Sequence, residues 1–204
     1  MGTVHDGDRG LRRRRVAVAG HRGDAATARA HLDDPDPAVR ATALRALARL
    51  EVLTGDDLRR AARDPHPVVR RATAALIARW DPSDGTVPAL ALLHDDDPTV
   101  VEVAAWAAGE RLPTGTAVLE RLCELAVGHP DALVREAAVA ALGAIGDDRG
   151  LPAVLAATSD RPAVRRRAVL ALAAFSGPDV DAALTRALAD RDAQVRAAAE
   201  DLLA

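Results

Sequence analysis

Residues 33–47 read Asp33-Asp34-Pro35-Asp36-Pro37-Ala38-Val39-Arg40-Ala41-Thr42-Ala43-Leu44-Arg45-Ala46-Leu47, and this stretch decides the fold because it recurs. The same phrase stands at 63–77 (RDPHPVVRRATAALI), 94–108 (HDDDPTVVEVAAWAA), 128–142 (GHPDALVREAAVAAL), 158–172 (TSDRPAVRRRAVLAL) and 189–203 (ADRDAQVRAAAEDLL). Anchored on Val39, Val69, Val100, Val134, Val164 and Val195, the copies lie 30, 31, 34, 30 and 31 residues apart. A fixed period of roughly 20–50 residues is the mark of a repeat array. Four residues past each anchor stand Ala43, Thr73, Ala104, Ala138, Ala168 and Ala199; eight past stand Leu47, Ile77, Ala108, Leu142, Leu172 and Leu203. Residues so spaced share one helical face, so each phrase predicts a helix with a buried stripe.

The helix starts are marked too. Pro37, Pro67, Pro98 and Pro162 fall in the first turn, where a missing N–H is harmless. Asp36, Asp97, Asp131 and Asp192 fall where a carboxylate can cap free amides. A second set of apolar-periodic stretches lies between, at 24–32, 56–62, 87–93, 117–127, 151–157 and 180–188, with Thr54, Asp84 and Gly177 punctuating the joins. Each repeat is thus a helix A, a turn carrying the Asp/Pro signal, and a helix B. The expected divisions are 24–54, 55–83, 84–113, 114–146, 147–176 and 177–204.

Residues 1–23 fit the same register as a basic, capping half-repeat. With Leu11 at the anchor, Arg12 takes the arginine position, Ala19 the position eight on, and Asp6 and Asp8 the upstream acids. Arg15 then replaces the small core residue, which suits a helix with one wet face. The competing reading is a disordered polybasic tail.

Helix pairs joined by Asp-Pro-x-Val-Arg with a period near 31 residues resemble HEAT repeats, specifically the short HEAT-like repeats first associated with phycobilisome lyases. The resemblance covers about 6 to 204. It implies an all-α, right-handed α-solenoid of about six helix pairs, with B helices on the concave face. It also implies a structural ladder of hydrogen bonds between repeats, drawn from Asp34, Arg40, Asp64, Arg70, Asp95, Arg135, Arg165, Asp190 and Arg196. Three breaks in that ladder are expected: Val101 stands for the arginine, and His129 and Ser159 stand for the aspartate.

Composition narrows the function classes. The 204 residues hold 27 basic side chains, all arginine, against 30 acids, for a net charge of −3. That balance opposes a protein that coats nucleic acid. Cys123 is the single cysteine. It excludes an intramolecular disulfide and a cysteine-based zinc site, and fits a reducing, cytoplasmic setting; within its helix it reads as a small buried hydrophobe. No apolar run reaches membrane-span length, and the N-terminus shows no secretory pattern.

Each enzyme chemistry known on this architecture requires its own residue set. HEAT-like deoxyhypusine hydroxylases carry His-Glu dipeptides that bind two irons, and none occurs here. The histidines at 5, 21, 31, 66, 94 and 129 have no repeated carboxylate partner; His94 beside Asp95–Asp97 reads as a helix end running into an N-cap. Helical-repeat DNA glycosylases use a basic face with aromatics and an acid. Trp106, Trp80 and Asp81 gesture at that set, but acidity and scarce aromatics oppose it. Phycobilin lyase chemistry has no matching residues. No catalytic group, metal or cofactor is therefore expected.

Residues two, six and ten past each anchor form the stripe opposite the buried one. In the first repeats it carries Arg13, Arg45, Arg49, Arg71 and Arg79, with Ala41 among them; then come Glu102, Trp106, Glu110 and Glu136, and further on Arg166. Bulk charge follows: +6 over 1–80, −10 over 81–160 and +1 over 161–204. These residues are the candidate groove for a protein partner with opposed charge patches. Trp106 reads either as an anchor in that groove or as packing between B helices. The expected function is a non-enzymatic protein-binding scaffold; the alternative is nucleic-acid or phosphate binding by the basic repeats, and an enzyme of the hydroxylase or glycosylase kind ranks below both.

Overall fold

The computed structural model describes residues 3–80, 88–110 and 114–203, with side chains described from residue 8 onward. Asp81, Asp84 and Val87, and the side chains of His5 and Asp6, lie outside what is described. The described residues are helical, with no strand among them. They divide into two compact units, Met1–Leu92 and Leu93–Ala204. No described helix is long and apolar enough to cross a membrane.

The first unit holds α1 (Thr3–Arg22), α2 (Ala25–Ala30), α3 (Pro37–Arg49), α4 (Gly55–Ala61), α5 (Pro67–Ile77) and α6 (Ala89–Leu92). The second holds α7 (Pro98–Gly109), α8 (Thr116–Gly128), α9 (Ala132–Ile145), α10 (Leu151–Ala157), α11 (Pro162–Ala171), α12 (Pro178–Ala187) and α13 (Ala193–Leu203). Short 3-10 turns cover Asp148–Gly150 and Leu172–Ala174. The Asp/Pro signal works as its chemistry requires. Proline opens α3, α5, α7 and α11, and the carboxylates of Asp36, Asp97 and Asp131 accept amide hydrogens at the starts of α3, α7 and α9. Asp192 does the same for the Gln194 amide at 2.8 Å. His66 takes the cap position of α5 and accepts from the Val68 amide through Nδ1. Thr54 and Asp57 form a reciprocal capping box at α4.

Within each unit successive B helices pack side by side: α1 on α3 and α3 on α5, then α7 on α9, α9 on α11 and α11 on α13. The anchor valines and the residues four past them are all buried. Thr73, the one polar member, donates its hydroxyl to the Val69 carbonyl at 2.9 Å. The closest approach, however, lies elsewhere in the register. A Cβ added to Gly20 would meet the Ala46 Cβ at 2.8 Å; on Gly109 and Gly143 it would meet the Cα of Ala141 and Ala171 at 2.8 Å. Each pair sets the residue nine past one anchor against the residue seven past the next.

Four expectations of burial fail, each for a local reason. Leu11, at the anchor of α1, is 68% exposed, because no described helix lies over that face; Val16, Ala19 and Gly20 carry the packing instead. Residues 3–22 are nonetheless helix, not a structureless tail. Ala41 is buried rather than on the exposed stripe, since its methyl does not reach past the flanking α1 and α5. Leu203 is exposed in the last turn of α13, where no described element covers it. Cys123 is half-buried, not core, with its thiol 3.9 Å from the Arg149 carbonyl.

Candidate partner-binding site

The recurrent arginines and aspartates are consumed in holding the helix pairs together. Arg40 donates from Nε and one terminal nitrogen to the two Asp64 oxygens at 2.8 and 2.7 Å, and from the other to the Asp34 carbonyl at 2.8 Å. Arg135 makes the same fork on Asp160 at 2.6 and 2.8 Å, and Arg165 on Asp190 at 2.9 and 2.7 Å. Arg12 reaches Asp34 at 3.0 Å, which ties α1 into the series. Arg70 and Arg196 donate to the carbonyls of Asp64 and Asp190. Each aspartate also closes its own turn: the amides of Asp36, His66, Asp97 and Asp192 donate to Asp34, Asp64, Asp95 and Asp190.

Two of the three expected breaks are one. A rung joins the arginine of one copy to the aspartate of the next, so Val101 and His129 are the two halves of a single missing rung. Losing both leaves no orphaned charge, whereas losing one partner of a buried pair is costly. Val101 is buried, and His129 keeps the turn by accepting the Asp131 amide at 3.1 Å. The third break does not exist. Asp160, one residue after Ser159, supplies the carboxylate, and its carbonyl accepts from Arg165 at 2.9 Å. The turn before α11 is one residue tighter, and Asp160 gives both carboxylate and carbonyl as Asp34, Asp64 and Asp190 do.

The charge state of the ladder follows from this geometry. Burial pushes the Asp64 carboxyl up, but hydrogen bonds from Arg40 and the His66 amide outweigh it and hold it below the ordinary value. The Arg135 hydrogen bonds hold Asp160 low, and those from Arg165 hold Asp190 low, each against the opposing effect of burial.

The exposed stripe of the first unit is different in kind. Arg13, Arg45, Arg49, Arg71 and Arg79 all point outward, and among the described residues none has a carboxylate partner. Partial burial, with the like charges of Arg13 and Arg71, lowers Arg45 below its ordinary value. Three of the five, Arg45, Arg49 and Arg79, line one cleft with Leu53, Leu76, Trp80 and Glu51.

The second unit carries an apolar patch rimmed by acids. Trp106 is 47% exposed and Leu133 57% exposed, and both line a 340 Å³ recess with Val103, Glu102, Glu136 and Arg167. Arg167 lies 3.5 Å from Glu136. Trp106 is thus about half exposed, over a recess lined by residues of α7 and α9; Glu110 is exposed beyond the recess. Leu133 and Val103 fall outside the stripe positions two, six and ten past an anchor. Leu133 precedes an anchor valine on the first turn of α9, where its side chain overhangs the groove rather than the core.

Elsewhere, no three His, Cys, Asp or Glu side chains among the described residues converge as metal ligands. Burial and nearby Asp147 push the Cys123 thiol up, away from the thiolate a nucleophile needs. Asp147, held by hydrogen bonds from Arg149, falls to about 2.

Antiparallel helix pairs, stacked B helices and an Arg–Asp ladder define an α-solenoid of short helical repeats. The HEAT repeats family model matches residues 55–126 and 119–204, and the chain belongs to the HEAT repeat family. The Escherichia coli protein YibA has a similar solved structure, with a TM-score of 0.70 at 22% identity over 91% of this chain and 69% of that one. A designed armadillo repeat protein in complex with the peptide (KR)4 matches at TM-score 0.64 and 20% identity, over 85% of this chain and 95% of that one. An engineered protein matches at TM-score 0.64 and 23% identity, over 89% and 57%. At these identities the likeness is one of fold. No curated protein matches the chain in sequence.

Proposed function

We propose that this protein is a non-enzymatic, cytoplasmic scaffold that binds a protein partner through the exposed stripe of its B helices. The observation that supports this reading most is the row of arginines on the first unit that have no carboxylate partner among the described residues, beside ladder arginines that are each satisfied. Guanidinium groups left open on a rigid helical surface are suited to planar, two-point recognition of carboxylates. The designed armadillo neighbour is bound to a basic peptide; the sign of the arginine stripe calls for an acidic one here. On the second unit Trp106 and Leu133, rimmed by Glu102 and Glu136, have the composition of an interface anchor. A pull-down comparing wild type with Arg45→Glu/Arg79→Glu/Trp106→Ala tests the proposal: partners should be lost, and an unchanged set overturns the assignment of the stripe.

The same open arginines support a second reading, binding of nucleic acid or a phosphate-bearing ligand through Arg13, Arg45, Arg49, Arg71 and Arg79. Affinity for a labelled duplex should then fall steeply as salt rises, and a flat response rules it out. An enzyme of the hydroxylase or glycosylase kind is the weakest reading; metal analysis and a glycosylase assay of the purified chain test it, and blank results remove it.

A further inference from the structure

We infer that the cleft lined by Arg45, Arg49, Arg79, Leu53, Leu76 and Trp80 takes an acidic segment of a protein partner with a bulky apolar side chain among its carboxylates. The inference rests on the protein-binding reading of the arginine stripe. The cleft lies within the first unit, at the C-terminal ends of α3 and α5, and holds about 610 Å³. That volume falls within the roughly 300–1,000 Å³ of ordinary ligand clefts.

Its chemistry is two-layered. Leu53, Leu76 and Trp80 make an apolar lining, of which Leu53 is buried and the other two half-buried. Three guanidinium groups stand above it without a described counter-charge. Arg45 is already partly desolvated and pressed by Arg13 and Arg71, so an arriving carboxylate relieves repulsion as well as forming ion pairs. An apolar side chain seated on the leucines excludes water and strengthens those pairs. Beyond the cleft the stripe continues to Arg71 and Arg13, so an extended segment gains contacts that a small carboxylate does not.

Glu51 discriminates between polyanions. It sits on the same rim with φ +57°, the one described non-glycine residue in the left-handed region. The equivalent positions ending α1 and α9 are Gly23 and Gly146, at φ +81° and +66°. The Glu51 carboxylate opposes a phosphate at this end of the rim, whereas a peptide can turn an amide hydrogen toward it while its acids meet the arginines. The charge pattern therefore favours an acidic peptide over nucleic acid.

The test is fluorescence anisotropy of the full chain with a fluorescein-labelled peptide, Glu-Asp-Glu-Leu-Phe-Asp-Glu-Asp, and its analogue with Leu and Phe replaced by Ser. Wild type should bind the parent peptide at least about tenfold tighter than the Ser analogue. Arg49→Ala/Arg79→Ala should weaken the parent by about tenfold or more while its thermal melt stays unchanged. In a Trp106→Phe background, the remaining Trp80 fluorescence should shift on saturation with unlabelled peptide. Equal affinity for both peptides, or an unaltered affinity in the double alanine variant, overturns the cleft. If Arg13→Glu/Arg71→Glu alone abolishes binding, the stripe reading survives and the cleft falls. No saturation up to about 1 mM peptide also overturns it. Preferential displacement of the peptide by a DNA duplex puts nucleic acid in its place.

Discussion

Glu51 holds a backbone conformation that costs an L-residue of order 1–2 kcal/mol, because its Cβ crowds the following carbonyl. The turn is closed nonetheless, by the Glu51 amide on the Ala48 carbonyl at 3.1 Å and the Val52 amide on the Leu47 carbonyl at 3.1 Å. Glu51→Gly should therefore stabilise the chain by about 0.5–1 kcal/mol, the relief being partly offset by the freedom glycine adds to the unfolded chain; urea unfolding measures it. Leu142 is the opposite kind of residue, wholly buried with Gly150 packed against it. Leu142→Ala should cost about 2–5 kcal/mol, while a loss below about 0.5 kcal/mol would put the residue at the surface. Residue burial was legible from the repeat at the anchor valines and the residues four past them, and missed at Ala41, where a methyl between α1 and α5 is too short to reach the surface. It failed at Leu11 and Leu203, where periodicity names the face but not whether anything covers it. The strained turn at Glu51 was legible only in part: Gly23 and Gly146 stand twelve past Leu11 and Val134 as Glu51 stands twelve past Val39, but only the backbone angles show that the turn is left-handed.

Helix pairing depends on two devices with opposite sensitivities. Where Gly143 meets Ala171, there is no room for a methyl group, so Gly143→Ala should push α9 from α11 and destabilise by about 1–3 kcal/mol. Gly128, with open space around it at the end of α8, gives the matched control: Gly128→Ala should be neutral or stabilising by up to about 1 kcal/mol. The second device is the ladder. Asp64, Asp160 and Asp190 titrate lower in the folded chain than their ordinary value of 3.8. The unfolded chain therefore takes up protons first, and the stability these groups contribute is full above that value and lost as pH falls through their folded values. Urea midpoints measured from about pH 6 to pH 2 should drop on the acid side, and Arg135→Gln/Arg165→Gln should flatten that drop. The ladder's existence was legible in the recurring Asp and Arg, but its pairing was not. A one-residue tightening before α11 moves the carboxylate from position 159 to Asp160, and counting back from the anchor cannot see that shift.

At the scale of the molecule, a net charge of −3 conceals two units of opposite character, 1–92 with four more arginines than acids and 93–204 with seven fewer. The sequence already located this polarity and the nine stripe residues that carry it. What it could not show is which arginines are spent. Ladder and stripe arginines alternate along the same helices and differ only by their direction around the axis, so the open ones emerge when partners are counted in space. Leu53, Leu76 and Leu133 were equally hidden, being apolar residues whose place beside the stripe depends on how turns and neighbouring helices fold back. The central claim is that the open arginines of the first unit bind a protein. Its most direct test is quantitative capture from the native host on the immobilised full chain, comparing wild type, Arg45→Glu/Arg79→Glu, and the off-stripe control Arg63→Glu/Arg186→Glu. Partners that are retained by wild type and the control but lost from the stripe variant are the predicted result; the same partners on all three would contradict it.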